Sequence, residues 1–405
     1  MSLESILVSP SFISEPYEVL RQMREEHPVY WSEAIGGWLL TRYDDILTSF
    51  KDTASYSNEN RLGKAIAYLS PERQASYKPF TEHYATKSLL HSDPPDHTRM
   101  RALVTKEFSS ALVEKMKFRI QEVVDRLIDA VVGKRHMDLV TEFASPLPIG
   151  VIAEILGVPA SDHYLFSAWA DDLLSFQGVN NPRESDLFRA QKAIMEMRPY
   201  ITAMLEERRR KPVEDLMSKF VAAEAVGERI TESELVSTTV TLFVAGFETT
   251  VSLISNTLLS LLQHPTQLEL LQQDPALITS TIEESLRYES PVSRQPRIMK
   301  KNAELHGTAL KQDQMVFQML NAANRDPAFF TRPATFDIQR EKNRHLAFGQ
   351  GIHFCVGAAL SRAEGSIAVS TAIKRLPKMR LVAATPDWDT SKRNSRVLKT
   401  LRVTF

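Results

Sequence analysis

Residues 236–262 form a nearly unbroken run of apolar and small side chains, and any fold for this chain has to be arranged around it. Thr231-Glu232-Ser233-Glu234 opens the run with a capping box, in which a threonine and a glutamate three residues on each satisfy the other's backbone N–H. His264-Pro265 closes it, so the pattern predicts one long helix. Its length would suit a bilayer, but it carries Glu248, Asn256 and many serines and threonines, which hydrocarbon leaves unsatisfied. The reading is therefore a buried central helix.

The rest of the chain agrees. With 43% hydrophobic and 24% charged residues it is an ordinary globular composition, and a net charge of −1 offers no basic field for nucleic acid. The 405 residues would fill two or three average domains. No Gly/Ser linker, repeat or low-complexity tract divides them, so a single unit over 1–405 with a sizeable core is expected. One cysteine excludes a disulfide-built scaffold. Residues 1–17 are polar and acidic with two prolines and have neither a signal-peptide core nor a membrane anchor, which predicts a cytoplasmic protein.

Helices are expected over 17–26, 43–50, 110–132, 147–156, 161–175 and 187–210, with one starting at Asp93-Pro94-Pro95 and another at Asp274-Pro275 that stops before Pro291. Residues 29–31 and 37–41 read as strands joined at Gly36-Gly37, and 295–299, 303–305, 315–319 and the region after 376 also look strand-like. Residues 58–90, with Pro71 and Pro79, read as irregular, and such long segments in compact domains are often functional. The fold class is mainly α with small β-sheets at one edge.

The lone cysteine, Cys355, lies in Phe348-Gly349-Gln350-Gly351-Ile352-His353-Phe354-Cys355-Val356-Gly357, directly before a helical pattern beginning at Ala358. It can serve packing, nucleophilic attack or metal ligation. Glycine allows sharp turns and close approach to a flat ligand, and a helix N-terminus favours a thiolate. That combination suits an axial ligand to a haem iron; the plain alternative is a buried structural cysteine beside a turn.

The spacing Phe-x-x-Gly-x-x-x-Cys-x-Gly, carried by Phe348, Gly351, Cys355 and Gly357, resembles the haem-binding loop of the cytochrome P-450 family. The resemblance implies the cytochrome P-450 fold over nearly the whole chain, haem b as cofactor, and Cys355 as the iron ligand. Within the central helix, Ala245-Gly246-Phe247-Glu248-Thr249-Thr250 is similar to the family's Gly-x-Asp/Glu-Thr segment. A glycine inside a helix costs about 1 kcal/mol against alanine, which a flat ligand beside it would explain. Glu248 and Thr249 would then deliver protons to the dioxygen, with Thr249 also free to bond back to a carbonyl and distort the helix. Glu284-Ser285-Leu286-Arg287 matches the family's structural Glu-x-x-Arg pair, with Arg340 as the candidate third member. Haem propionates need cations, and the local context points to His97, Arg101, Arg297 and His353. Ala245, Phe348, Gly349 and Gly357 complete the cofactor contacts. Thr241, Val244, Ser293 and Gln295 are substrate-contact candidates, as are 58–90 and the link from 175 to 187. Arg294 is read either as a cation for a carboxylate-bearing substrate or as solvent-facing.

These readings predict a monooxygenase that inserts one atom of O2 into a small apolar organic substrate. The chain ends soon after the family's last strands, so electrons are expected from a separate ferredoxin or flavodoxin with its reductase. Arg99, Lys106, Arg344 and Arg362 are candidates for its docking face, or a solvated surface. A peroxide-dependent peroxygenase, which predicts a disrupted Glu-Thr pair, and a non-catalytic haem sensor, which does not need one, are the alternatives. A helical protein without haem requires every motif to be coincidence.

Overall fold

The central helix runs from Glu232 to Gln263. Its capping box forms as the sequence predicts: the Thr231 hydroxyl accepts from the Glu234 N–H, and Glu234 Oε2 accepts from the Thr231 N–H at 2.8 Å. The structure, a computed structural model, describes residues 2–59, 61–177, 182–225 and 230–405, so Met1, Asn60 and residues 178–181 of the expected 175–187 lid lie outside the described residues. Leu253, Ile254, Leu258 and Leu261 are at most 2% exposed, each contributing roughly 1.5–3 kcal/mol of burial.

The polar residues of this helix are tied to its neighbours. The Thr257 hydroxyl bonds Ser285 at 2.7 Å, Thr250 meets Ser361 at 3.0 Å, and Asn256 Nδ2 donates to the Arg396 carbonyl at 3.0 Å. Helix Ile278–Tyr288, helix Ala358–Arg375 and a C-terminal hairpin are thereby fastened to the central helix. Buried polar groups paired in this way set the register of the helices as well as holding them.

The observed helices Tyr17–Glu26, Tyr43–Lys51 and Ser110–Val132 agree with the expected spans, and His163–Leu174 and Glu184–Arg210 differ from theirs by up to three residues at an end. Leu216–Ala225 and Pro265–Gln273 were not expected. Residues 58–90 are not irregular: they hold a 3-10 turn, Gly63–Ile66, and helices Pro71–Ser76 and Lys78–Ala85. Both prolines read as breakers sit in a first helical turn, where no N–H is needed. Asp93 does not open the next helix, which is Asp96–Glu107. Its carboxylate accepts from the Asn58 N–H at 3.1 Å and pairs with Lys300 at 3.3 Å.

Five strands form the largest sheet, in the order Val29–Ser32, Gly37–Leu40, Met315–Met319, Arg294–Met299, Tyr56–Ser57. Of the smaller sheets, one is the hairpin Ala303–Leu305 with Thr308–Leu310, and another pairs Asp387–Trp388 with Leu398–Thr400 near the C-terminus.

Glu364, on helix Ala358–Arg375, is 3% exposed with Oε2 unpartnered, and burial raises its pKa to about 8. Between pH 4.5 and 8 the folded chain keeps a proton that the unfolded chain releases. Stability from this group is therefore full below 4.5 and is lost as pH rises to 8. Glu364→Gln should be more stable than the parent by about 4 kcal/mol at pH 8 and by little at pH 4.5. Urea midpoints at both pH values test this, and an equal gain at both would refute it.

Candidate functional site

The cysteine loop is folded by its backbone. The Cys355 N–H donates to the Phe348 carbonyl at 2.9 Å, and helix Ala358–Arg375 begins three residues after the thiol, capped by Gly357. Gly349 and Gly351 have φ of +67° and +70°. A Cβ on Gly351 would stand 2.4 Å from the Phe50 carbonyl oxygen, so only glycine fits there. Arg362 grips Glu283 through two bonds of 2.6 and 2.9 Å and lies 4.5 Å over the Phe348 ring, clamping the start of the loop. Protein packs densely around the sulfur, and the residue as a whole is half-buried. Burial pushes the thiol up; the Gly357 N–H and the charges of Arg101 and Arg362 work against that.

The four expected cations converge beside this loop. The His97 and His353 rings lie 4.2 Å apart, and Nε2 of each is buried without a hydrogen-bond partner among the described residues. His97 and Arg101 stand one turn apart on helix Asp96–Glu107. Arg297 is 5% exposed, donates to the Pro296 carbonyl at 2.8 Å and lies 5.4 Å over the Phe50 ring. Burial lowers all four, Arg297 to about 9, His97 to about 4 and His353 to about 2. Two arginines with no carboxylate bonded to them and two orphaned imidazole nitrogens, among the described residues, suit a hydrogen-bond-accepting anion, the histidines donating as neutral rings. The two carboxylates of a haem whose iron meets Cys355 fit that requirement.

Thr241, Val244, Ala245 and Thr249 form a partly accessible stripe on the otherwise buried central helix, so this face borders a hollow. Thr249 Oγ1 donates to the Ala245 carbonyl at 2.7 Å, as expected, yet the helix continues unbroken. Gly246 differs from expectation: the Cβ it lacks would point at Ile152, at 3.5 Å, rather than leaving room for a flat ligand. Ser293, Gln295 and Arg297 share one face of the chain at strand Arg294–Met299, and Gln295 Oε1 accepts from Arg297 at 3.4 Å. Arg294 is not in solvent: it is 4% exposed and donates to Asn394 at 3.1 Å. Arg73 pairs with Glu184, and Arg198 donates to His83 at 3.1 Å, joining the 58–90 segment to helix Glu184–Arg210.

Glu248 is 7% exposed, and its Oε2 lies 2.5 Å from Lys392 Nζ, close but poorly aligned for a hydrogen bond. Lys392 also reaches Asp171 at 3.2 Å, on helix His163–Leu174. Burial works against the Lys392 charge, but Glu248 and Asp171 outweigh it and raise its pKa. Lys392 and Asp171 were not legible in the sequence, because each joins Glu248 only through the tertiary fold. Of the four docking candidates, Lys106 and Arg344 are exposed, whereas Arg99 pairs with Glu234 at 2.7 Å and Arg362 with Glu283.

Glu284 and Arg287 are both fully buried and joined by bonds of 2.8 and 2.7 Å. Arg340 meets Glu284 at 3.0 Å, as expected of the third member.

The family model for Cytochrome P450 matches residues 163–400. A "Cytochrome P450" of Bacillus subtilis is 38% identical over 385 residues, covering 93% of this chain and 91% of the relative. The crystal structure of P450BioI in complex with hexadec-9Z-enoic acid ligated acyl carrier protein superposes with a TM-score of 0.90 at 34% identity, covering 98% of this chain and 100% of that one. CYP109E1 from Bacillus megaterium in complex with testosterone gives 0.88 at 32% identity, covering 98% and 99%.

Proposed function

Since the chain belongs to the cytochrome P450 family and is a haem-thiolate monooxygenase acting on an apolar organic molecule, we propose the residues that carry the reaction. The observation that carries the proposal is the cluster of two arginines and two histidines with orphaned ring nitrogens beside the only cysteine. Cys355 ligates the iron of haem b. His97, Arg101, Arg297 and His353 hold its propionates, with Phe348, Gly349, Gly357 and Ala245 against its faces. The haem, when bound, supplies the redox chemistry: with two electrons, two protons and O2, one oxygen atom enters the substrate and the other leaves as water.

The chain's own contribution is proton supply and exclusion of water. Thr249 keeps its hydroxyl at the hollow by bonding back to Ala245. Glu248, one residue before it, is the acid that feeds protons inward. Lys392 positions Glu248 and links it to Asp171, whose side chain is 54% exposed and meets solvent. Thr241, Val244, Ser293 and Gln295 line the substrate side. P450BioI and CYP109E1 accommodate a long acyl chain and a steroid, and a lipophile of comparable bulk is the substrate class proposed here. Electrons come from a separate ferredoxin or flavodoxin with its reductase, docking near Lys106 and Arg344. The chain acts as a single domain in the cytoplasm.

Lys392→Met removes the partner of Glu248 without touching the haem loop. Turnover should fall about tenfold, part of the effect typical of a positioned proton donor. Product formed per reductant consumed should drop with it, while the carbon monoxide band and substrate affinity stay as in the parent. Unchanged coupling and turnover would remove Lys392 and Asp171 from the proton route.

A further inference from the structure

Two buried polar side chains near the propionate cations remain unexplained. Asn58 is 1% exposed, and neither Oδ1 nor Nδ2 has a hydrogen-bond partner among the described residues. Arg61 is 9% exposed, its Nε is unpartnered, and its guanidinium makes no hydrogen bond or ion pair with any described residue. An arginine keeps its charge at working pH. A buried charge without a counter-ion is destabilising by several kcal/mol, so its retention asks for a reason.

The fold brings both residues to the cation side of the pocket. Tyr56 and Ser57 pair with Met299 and Ile298, so the chain leaving this strand sets Asn58 next in register toward Arg297. The charge of Arg61 is felt by Arg297 and by the buried His91, and burial lowers Arg61 itself to about 10. Tyr84, within its field, packs edge-on against His91 at 5.6 Å and Phe176 at 5.7 Å.

Neighbouring acids are already engaged. Asp93 serves the Asn58 N–H and Lys300, and Glu59 serves Lys87 and the Asp93 N–H. The four propionate candidates already outnumber the two carboxylates of a haem, which leaves the Arg61 fork and the Asn58 amide as additional donors.

We propose that Arg61 and Asn58 form a carboxylate-binding subsite at the edge of the haem pocket, the guanidinium bonding both carboxylate oxygens and the Asn58 Nδ2–H adding a third bond. A bidentate arginine is the side chain best matched to a planar carboxylate. The carboxylate belongs either to a haem propionate or to a fatty-acid-like substrate. The proposal rests on the haem-thiolate reading of the same pocket, and the carbon monoxide band of the parent protein checks that reading separately.

The test compares the parent holoprotein with Arg61→Gln. One measurement is the rate of haem transfer to excess apomyoglobin. The other is the ratio of Kd values for lauric acid and for dodecanol, read from the Soret shift. If a propionate is bound, Arg61→Gln should lose haem about tenfold faster with the acid-to-alcohol ratio unchanged. If the substrate carboxylate is bound, haem loss should stay constant and the preference for the acid should fall about tenfold, equivalent to about 1.4 kcal/mol. Arg61→Lys, which keeps the charge, should recover part of either loss. An Arg61→Gln holoprotein with a normal carbon monoxide band and neither change would overturn the subsite. Should that variant yield no holoprotein, Asn58→Ala is measured in the same way, with a severalfold change expected in one quantity and no change in either refuting the proposal.

Discussion

Cys355→Ser should abolish the strongly red-shifted carbon monoxide band of the reduced protein and lower reductase-supported turnover on the order of a thousandfold, about 4 kcal/mol of transition-state stabilisation. Serine is close to isosteric, and the loop does not rely on sulfur to keep its shape. Its closure comes from the Cys355 N–H to the Phe348 carbonyl, and its turns from Gly349 and Gly351. The proposed propionate partners His97, Arg101, Arg297 and His353 are also untouched. The variant should therefore fold and retain haem, with an unshifted carbon monoxide spectrum. No second cysteine exists to take over. A shifted band surviving in Cys355→Ser would mean that the thiolate assignment is wrong.

The second large effect is structural. Arg287→Ala should destabilise the protein by about 3–5 kcal/mol, the range for breaking a buried ion pair, and soluble holoprotein should largely disappear. The Arg287 guanidinium donates to the carbonyls of Asn324, Pro333 and Thr335 at 3.0, 2.8 and 2.9 Å, besides its two bonds to Glu284. Glu284 in turn accepts from the Asp337 N–H at 2.8 Å and from Arg340 and Asn343. Asn324 reaches the far side of the same network, accepting the Leu346 N–H at 2.7 Å just before the cysteine loop. Losing Arg287 removes two of the bonds to the buried Glu284 carboxylate, leaving Arg340 as its charged partner, and takes the guanidinium donor from the Asn324 and Pro333 carbonyls. Glu284→Gln combined with Arg287→Met should be less damaging than the two single costs added together, because both single variants break the same buried pair. Thermal midpoints and haem content of the three variants decide this, and a midpoint for Arg287→Ala within a degree or so of the parent would contradict it.

The buried Glu284–Arg287 pair also marks how far local reasoning reaches. A charge pair at i and i+3 is ordinarily a solvated surface feature worth little. Only its resemblance to a family motif pointed inward, and the structure places both partners at 0% side-chain exposure. Gly246 misleads in the opposite direction. Its place beside Glu248 suggested a ligand-facing gap, whereas the missing side chain would point at Ile152. Helical position fixes which face a residue takes, but what lies opposite that face is set by another element.

By itself the sequence determined the features whose causes lie within a few residues. The Thr231 capping box, the bounds of helix Tyr17–Glu26 and the glycine-bound cysteine loop were legible because hydrogen bonds and φ preferences act over that range. Even there, Pro71 and Pro79 were misread, since proline ends one helix as readily as it begins another. Tertiary structure alone decided that Lys392 meets Glu248, that Arg294 is buried, and that the Asn58 amide and Arg61 Nε find no hydrogen-bond partner among the described residues. These outcomes depend on which surfaces pack together across long stretches of chain. Charges and amides carry no periodic signal of their eventual neighbour, and their energies change sign between water and a dry interior.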